Sequence, residues 1–210
     1  MKLYYSQGAC SLAPHMILEE IGKPYEAIEI SFDKGDGEKP EFKKLNPTGA
    51  IPVLVLDDGK VVTENVAILS YLADLKPEAK LLPQAGTFER TRALEWLAFG
   101  ATYVHHSFGA IFGAEFVTST PGGAAEVREK GRERASQHFD QIEIRLGQIK
   151  TPWVLGSNYS VCDAYLFVFF SWAKHLKFDL SRWPNYSALA SRVAERPASL
   201  RALKAEDMLD

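Results

Sequence analysis

Along the first 75 residues the spacing of apolar positions switches repeatedly between two periods. KLYYS (2–6) and YEAIEIS (25–31) read as extended, the second alternating residue by residue, whereas SLAPHMILEEIG (11–22) and PEFKKLN (40–46) read as helical. Two short β-rich runs, VLVLDD (53–58) and KVVT (60–63), flank Asp58-Gly59, a dipeptide that favours a hairpin turn. ENVAILSYLADL (64–75) is helical again. The order is βαβαββα: a crossover joins the first pair of strands and a hairpin joins the last, which requires a small mixed sheet flanked by helices.

That layout is thioredoxin-like. PEAKLLPQAG (77–86) then punctuates the chain with prolines and a glycine, and residues 81–86 are expected to link two domains. Beyond it the pattern contains no convincing strand. Residues 87–112 carry apolar positions at helical spacing, with Leu94, Leu97 and Ala101 on one face, and AAEVREKGRERASQHFDQIEIRL (124–146) reads as a long amphipathic helix. SVCDAYLFVFFSWAKHL (160–176) opens on Ser160 with Asp163 three residues later, a capping-box variant, and is apolar almost all round. It is expected to be the buried centre of an all-α second domain, with Pro184 opening another helix. The expected division is therefore an α/β thioredoxin-like domain at 1–80 and an all-helical domain at 87–210.

Composition narrows the function classes. With 210 residues, 46% hydrophobic and 24% charged, the chain has the make-up of a folded globular protein. A net charge of -3 lacks the dense basic face that nucleic acid or an acidic membrane requires. The longest apolar run, AYLFVFF, is far short of the roughly 20 residues that span a bilayer, and the N-terminus has no continuous apolar stretch of the secretory kind. A cytoplasmic location is expected. Cys10 and Cys162 are the only cysteines, too far apart in sequence for a CxxC pair, and the five histidines show no metal-ligand spacing. No metal site is expected.

Three short stretches carry chemistry. Cys10, in QGACSLAPH (7–15), lies where a strand passes into a helix, and the unpaired amides there favour a thiolate, either its own or that of a bound ligand; a small buried hydrophobe is the plainer reading. Pro52, in NPTGAIPVL (46–54), directly precedes a strand. A cis Ile51-Pro52 bond there would leave the Ile51 backbone to pair with an extended peptide-like ligand, against the alternative of a strand-opening trans proline. Thr63-Glu64-Asn65 precedes a helix and can cap it while offering amides to a carboxylate, with Glu64 placed to pair with an ammonium.

Taken together, GACSLAPH, NPTGAIPVL, TENVAILSYLAD and SVCDAYLF, in this order over nearly the whole chain, resemble the glutathione transferase family, and the cysteine motif is similar to its bacterial beta class. The resemblance implies glutathione as co-substrate, a small electrophile as second substrate and a homodimer. Ala9 and Cys10 would neighbour the glutathione sulfur, with Ser11 and His105 assisting catalysis. Ile51 and Pro52 would hold the cysteinyl part and Glu64 with Asn65 the γ-glutamyl end. Lys34 would meet the glycine carboxylate, while Thr102 and His106 line the site. Asn65 departs from the small residue usual in the family, Ala98 from an asparagine and His106 from a lysine. The electrophile is expected against Phe108, Ile111, Phe112 and Phe116.

The implied reaction is attack of the glutathione thiolate on an electrophilic carbon. The competing readings are thiol-disulfide exchange through a mixed disulfide at Cys10, and a module that binds glutathione without catalysis.

Overall fold

The computed structural model describes residues 1–209. Strands β1 (Lys2–Tyr5) and β2 (Glu26–Glu29) are parallel, joined by helix α1 (Leu12–Ile21). After α2 (Pro40–Lys43), strands β3 (Val53–Val55) and β4 (Val61–Thr63) form the hairpin about Asp58-Gly59, and α3 (Asn65–Asp74) follows. The sheet order is β2-β1-β3-β4, with β3 antiparallel to both neighbours. This is the thioredoxin-like α/β arrangement read from the pattern.

Because side chains alternate across a strand, the two faces of this sheet are covered separately. Leu3 and Leu54 face α1 and α3 and join the main core, whereas Tyr4, Ile30 and Val53 form a small cluster under Phe42 of α2. α1 is buried on nearly every side, because it lies between the sheet and the helices that follow.

The remainder is helical: α4 (Phe88–Phe99), α5 (His105–Phe112), α6 (Ala114–Val117), α7 (Gly123–Gln148), α8 (Val161–His175), α9 (Pro184–Ala194) and α10 (Pro197–Ala205). α8 is the central helix, buried along almost its whole length. Its start is fixed by Asp163, which accepts hydrogen bonds from the Ser160 amide at 2.8 Å, the Ser160 hydroxyl at 2.6 Å and the Val154 amide at 2.9 Å.

The stretch expected as one helix over 87–112 is interrupted. Gly100–Val104 forms a π-turn between α4 and α5, and Leu94 points outward at 41% exposure while Leu97 is buried. A surplus residue in the helical repeat shifts the apolar face, which a regular 3.6 spacing cannot anticipate. No helix among the described residues is long and apolar enough to cross a membrane.

Candidate functional site

A cleft of about 420 Å³ lies between the sheet layer and the helices, within the usual range for small-ligand sites. Its floor is Cys10, Ile51, Pro52, Glu64 and Asn65; its opposite wall is Ala101, His105, His106, Gly109 and Tyr165. Three loops from distant parts of the sequence converge here because each sits at the same end of the sheet or at the start of a helix packed on it.

The loop into β3 is built from its own polar groups. Asn46 donates from Nδ2 to the Ala50 carbonyl at 2.8 Å and accepts from the Thr48 amide and hydroxyl, folding NPTGA into a tight turn. Gly49, at φ 72°, passes so close to Gly37 that a Cβ on it would stand 2.7 Å from the Gly37 carbonyl oxygen, so side chains are excluded where the two loops cross. The Ile51-Pro52 bond is cis, and the Ile51 amide makes no hydrogen bond among the described residues.

Cys10 stands beside that loop, its Sγ donating to the Ile51 carbonyl at 3.5 Å. Burial pushes its thiol pKa up to about 12, against the opposing pull of the Cys10 and Ser11 amides. The helix-start effect expected from sequence is present, but desolvation outweighs it, so the protein's own thiol is a protonated hydrogen-bond donor. The Cys10 loop is also tied to the C-terminal part of the chain. Gly8 donates its amide to Glu206 at 2.9 Å and accepts from Trp172 Nε1 at 2.8 Å, while the other Glu206 oxygen meets His15 Nδ1 at 2.7 Å.

Glu64 opens α3 at φ 67°, ψ 123°, a conformation that costs a non-glycine residue about 1–3 kcal/mol and recurs at functional sites. Its side chain is exposed to the cleft and makes no capping bond, so the capping role read from Thr63-Glu64-Asn65 is corrected. Asn65 is turned inward, donating from Nδ2 to the Cys10 carbonyl at 2.9 Å. Its Oδ1 is buried without a partner.

Several expected site residues stand elsewhere. The Ser11 hydroxyl is fully buried, accepting from the Ser6 amide and donating to the Ser6 carbonyl, so it cannot reach a sulfur in the cleft. Ala9 braces the loop through its backbone and does not line the cleft. Lys34 is exposed on the loop at 31–36, beside Asp36 and outside the cleft lining. Thr102 is exposed and donates back to the Ala98 carbonyl at 2.8 Å. Phe108 is fully buried among Phe139, Trp172 and Phe178, and Ile111 is buried against Gly131, so both belong to the helical core. Phe112 is half exposed on the edge of Trp172, and Phe116 is 95% exposed. An apolar stripe at helical spacing does not distinguish core from cavity wall, and the π-turn changes which residues face inward.

Conversely, Asn46, Ala101, Gly109 and Tyr165 line the cleft without having been singled out as site residues. For Asn46 the signal was available in the Asn-Pro-Thr-Gly turn. Tyr165 sits in a run of apolar residues that hides it. Among the described residues no group of three His, Cys, Asp or Glu side chains could hold a metal ion.

The fold is thus a thioredoxin-like layer with Cys10 before its first helix, closed across the cleft by a helical layer. Residues 8–75 match the family profile for the glutathione S-transferase N-terminal domain, and residues 99–197 that for the C-terminal domain. The chain is 34% identical over 209 residues to glutathione S-transferase GstA of Escherichia coli O157:H7, covering 99% of this chain and 100% of that one. Among solved structures, a bacterial beta class glutathione S-transferase from Sphingomonas chungbukensis superposes with a TM-score of 0.88 at 38% identity, with full coverage of both chains. A sphingomonad glutathione S-transferase complexed with glutathione gives 0.87 at 34%, again with full coverage. The chain belongs to the glutathione S-transferase family and is an enzyme of that family, with relatives in the bacterial beta class.

Proposed function

We propose that the enzyme transfers glutathione to an electrophilic carbon of small, mostly apolar substrates. The observation that carries this reading is the meeting of three features in one cleft: the unpaired Ile51 amide, the Cys10 thiol at the start of α1, and the Glu64 turn that opens α3. The cysteinyl part of glutathione pairs with the Ile51 backbone by strand addition. Its γ-glutamyl carboxylate meets the first amides of α3, and its ammonium meets Glu64. This puts the glutathione sulfur beside Cys10 and the amides of residues 10 and 11.

The protein then needs only to make and hold the glutathione thiolate. Lowering a thiol pKa from about 8.5 by 2 units requires about 2.7 kcal/mol of differential stabilisation, within the reach of two hydrogen bonds to charge at about 1.5–3 kcal/mol each. The Cys10 S–H, turned from the Ile51 carbonyl to the ligand sulfur, and a neighbouring amide supply such a pair. The electrophile enters from the side of Ala101, His106 and Gly109, whose small residues leave it room. Residues 1–80 carry the glutathione site and residues 87–210 the opposite wall, joined by 81–86. The working unit is a cytoplasmic homodimer, which solution scattering tests.

The deciding experiment is calorimetric titration with glutathione followed by conjugation assays across aryl halides, alkyl halides and enones. Saturable binding with turnover on at least one class supports the reading; no binding overturns it. The protonated state of Cys10 disfavours thiol-disulfide exchange, and a mixed disulfide mapped to Cys10 after exposure to oxidised glutathione would reverse that preference.

A further inference from the structure

Tyr165 lies on the second turn of α8, 2% exposed, with its ring centroid 4.5 Å from that of Phe169. Opposite it is the π-turn Gly100–Val104. One surplus residue rotates everything beyond it by about 100°, so the turn decides which way His105 faces. Gly100 starts the turn where a side chain would press on the aromatic wall: a Cβ there would stand 3.1 Å from the Phe169 ring and 3.4 Å from that of Tyr165. The consequence is a single polar contact in an otherwise aromatic wall, with His105 Nδ1 3.0 Å from the Tyr165 hydroxyl oxygen.

The direction of that bond follows from proton accounting. A buried phenol proton needs an acceptor, and His105 Nδ1 is the acceptor that bonds the Tyr165 hydroxyl, whereas the Asn65 side chain reaches the phenol oxygen only as a donor. The buried Asn65 Oδ1 is the competing acceptor, but it makes no hydrogen bond, to the phenol or to any other group. Were the imidazole to donate from Nδ1, the phenol proton would be buried unpaired. The bond therefore runs from Tyr165 to Nδ1, and the ring proton resides on Nε2, the nitrogen with no protein partner among the described residues, on a side chain that lines the cleft.

We infer that Tyr165 is a positioning residue that, across the π-turn, fixes His105 as its neutral Nε2–H tautomer and so aims a hydrogen-bond donor at the charge held on the sulfur. The inference rests on the conjugation reading above. Burial keeps the imidazole neutral, holding its pKa down at about 4. A neutral donor is ready without first having to capture a proton.

The test is Tyr165→Phe, which keeps the ring and removes the hydroxyl. In the full-length 15N-labelled protein near pH 7, the ring-nitrogen shifts of His105 are expected to report the Nε2–H tautomer, and the variant a mixture of both. The variant's kcat is expected to fall about tenfold, the loss of one hydrogen bond in the transition state, with KM for glutathione within about twofold. Gly100→Ala, which displaces the same rings, should move the tautomer in the same direction. An Nδ1–H signature in the wild type overturns the inference, as does a variant whose tautomer or kcat is unchanged. The ring-nitrogen readout needs no substrate. An intact Nε2–H signature in a protein that binds no glutathione would therefore contradict the conjugation reading, not the tautomer assignment.

Discussion

Alkylation of Cys10 should be slow, and the structure says by how much. Its side chain is buried and its pKa is raised from 9.0 to about 12 because desolvation outweighs the Cys10 and Ser11 amides. Only the thiolate reacts with iodoacetamide. At about pH 8 a thiol with an ordinary pKa of 9 is roughly one-tenth ionised, whereas Cys10 is ionised to about one part in ten thousand. Ionisation alone thus slows labelling about a thousandfold, and restricted access slows it further. The assay follows alkylation of the native protein by intact mass, maps the labelled peptide, and takes the urea-unfolded chain as the reference rate. Cys162 is an internal control, because it too is buried with a raised pKa and donates to the Ala93 carbonyl at 3.4 Å. Labelling of Cys10 as fast as the unfolded reference, or a rate that titrates with a midpoint below about pH 8, would refute the argument that burial dominates.

Other consequences are equally direct. His105 should titrate near pH 4 by NMR. Since its folded pKa lies below the unfolded value of about 6.5, its stabilising contribution is complete above that pH and is lost, up to about 3 kcal/mol, as the pH falls towards 4; a midpoint between 6 and 7 would contradict this. Glu206→Ala leaves the Gly8 amide and His15 unpaired in a buried setting and should cost about 2–4 kcal/mol in urea denaturation. Because Gly8 holds the Cys10 loop, glutathione affinity should fall as well, and unchanged stability would count against the network. Glu64→Gly relieves the positive φ and should raise stability by about 1 kcal/mol while weakening glutathione binding; a variant that binds normally would remove Glu64 from the site.

The βαβαββα order, the helical remainder and the capped, all-apolar α8 were legible because each is written in local spacing and local turn chemistry. A proline set directly before a strand left cis and trans both open at Ile51-Pro52, and the bond is cis. What the sequence could not convey were preferences decided by surroundings. The amides at the start of α1 argue for a thiolate at Cys10, and only the packing around it reveals that desolvation wins. Ser11 looked like a free hydroxyl until its Ser6 partners were in place. Phe108 and Ile111 share the apolar face with the cleft residues, and the π-turn that separates core from wall depends on Gly100 meeting Tyr165 and Phe169, sixty-odd residues away. Tyr165 itself is hidden in an apolar run, where its hydroxyl carries no pattern. Glu206 lies at the far end of the chain from the Gly8 and His15 it ties together.

On the proposed function, the cleft binds glutathione with its sulfur beside Cys10 and ionises it. Ultraviolet difference titration of the intact enzyme with glutathione, repeated across pH, tests this most directly. The expected result is a saturable thiolate band whose apparent pKa lies about 2 units below the free value of about 8.5, and which weakens or moves to higher pH in Cys10→Ala. A bound thiol that titrates at or above the free value, or a band indifferent to Cys10, would contradict it.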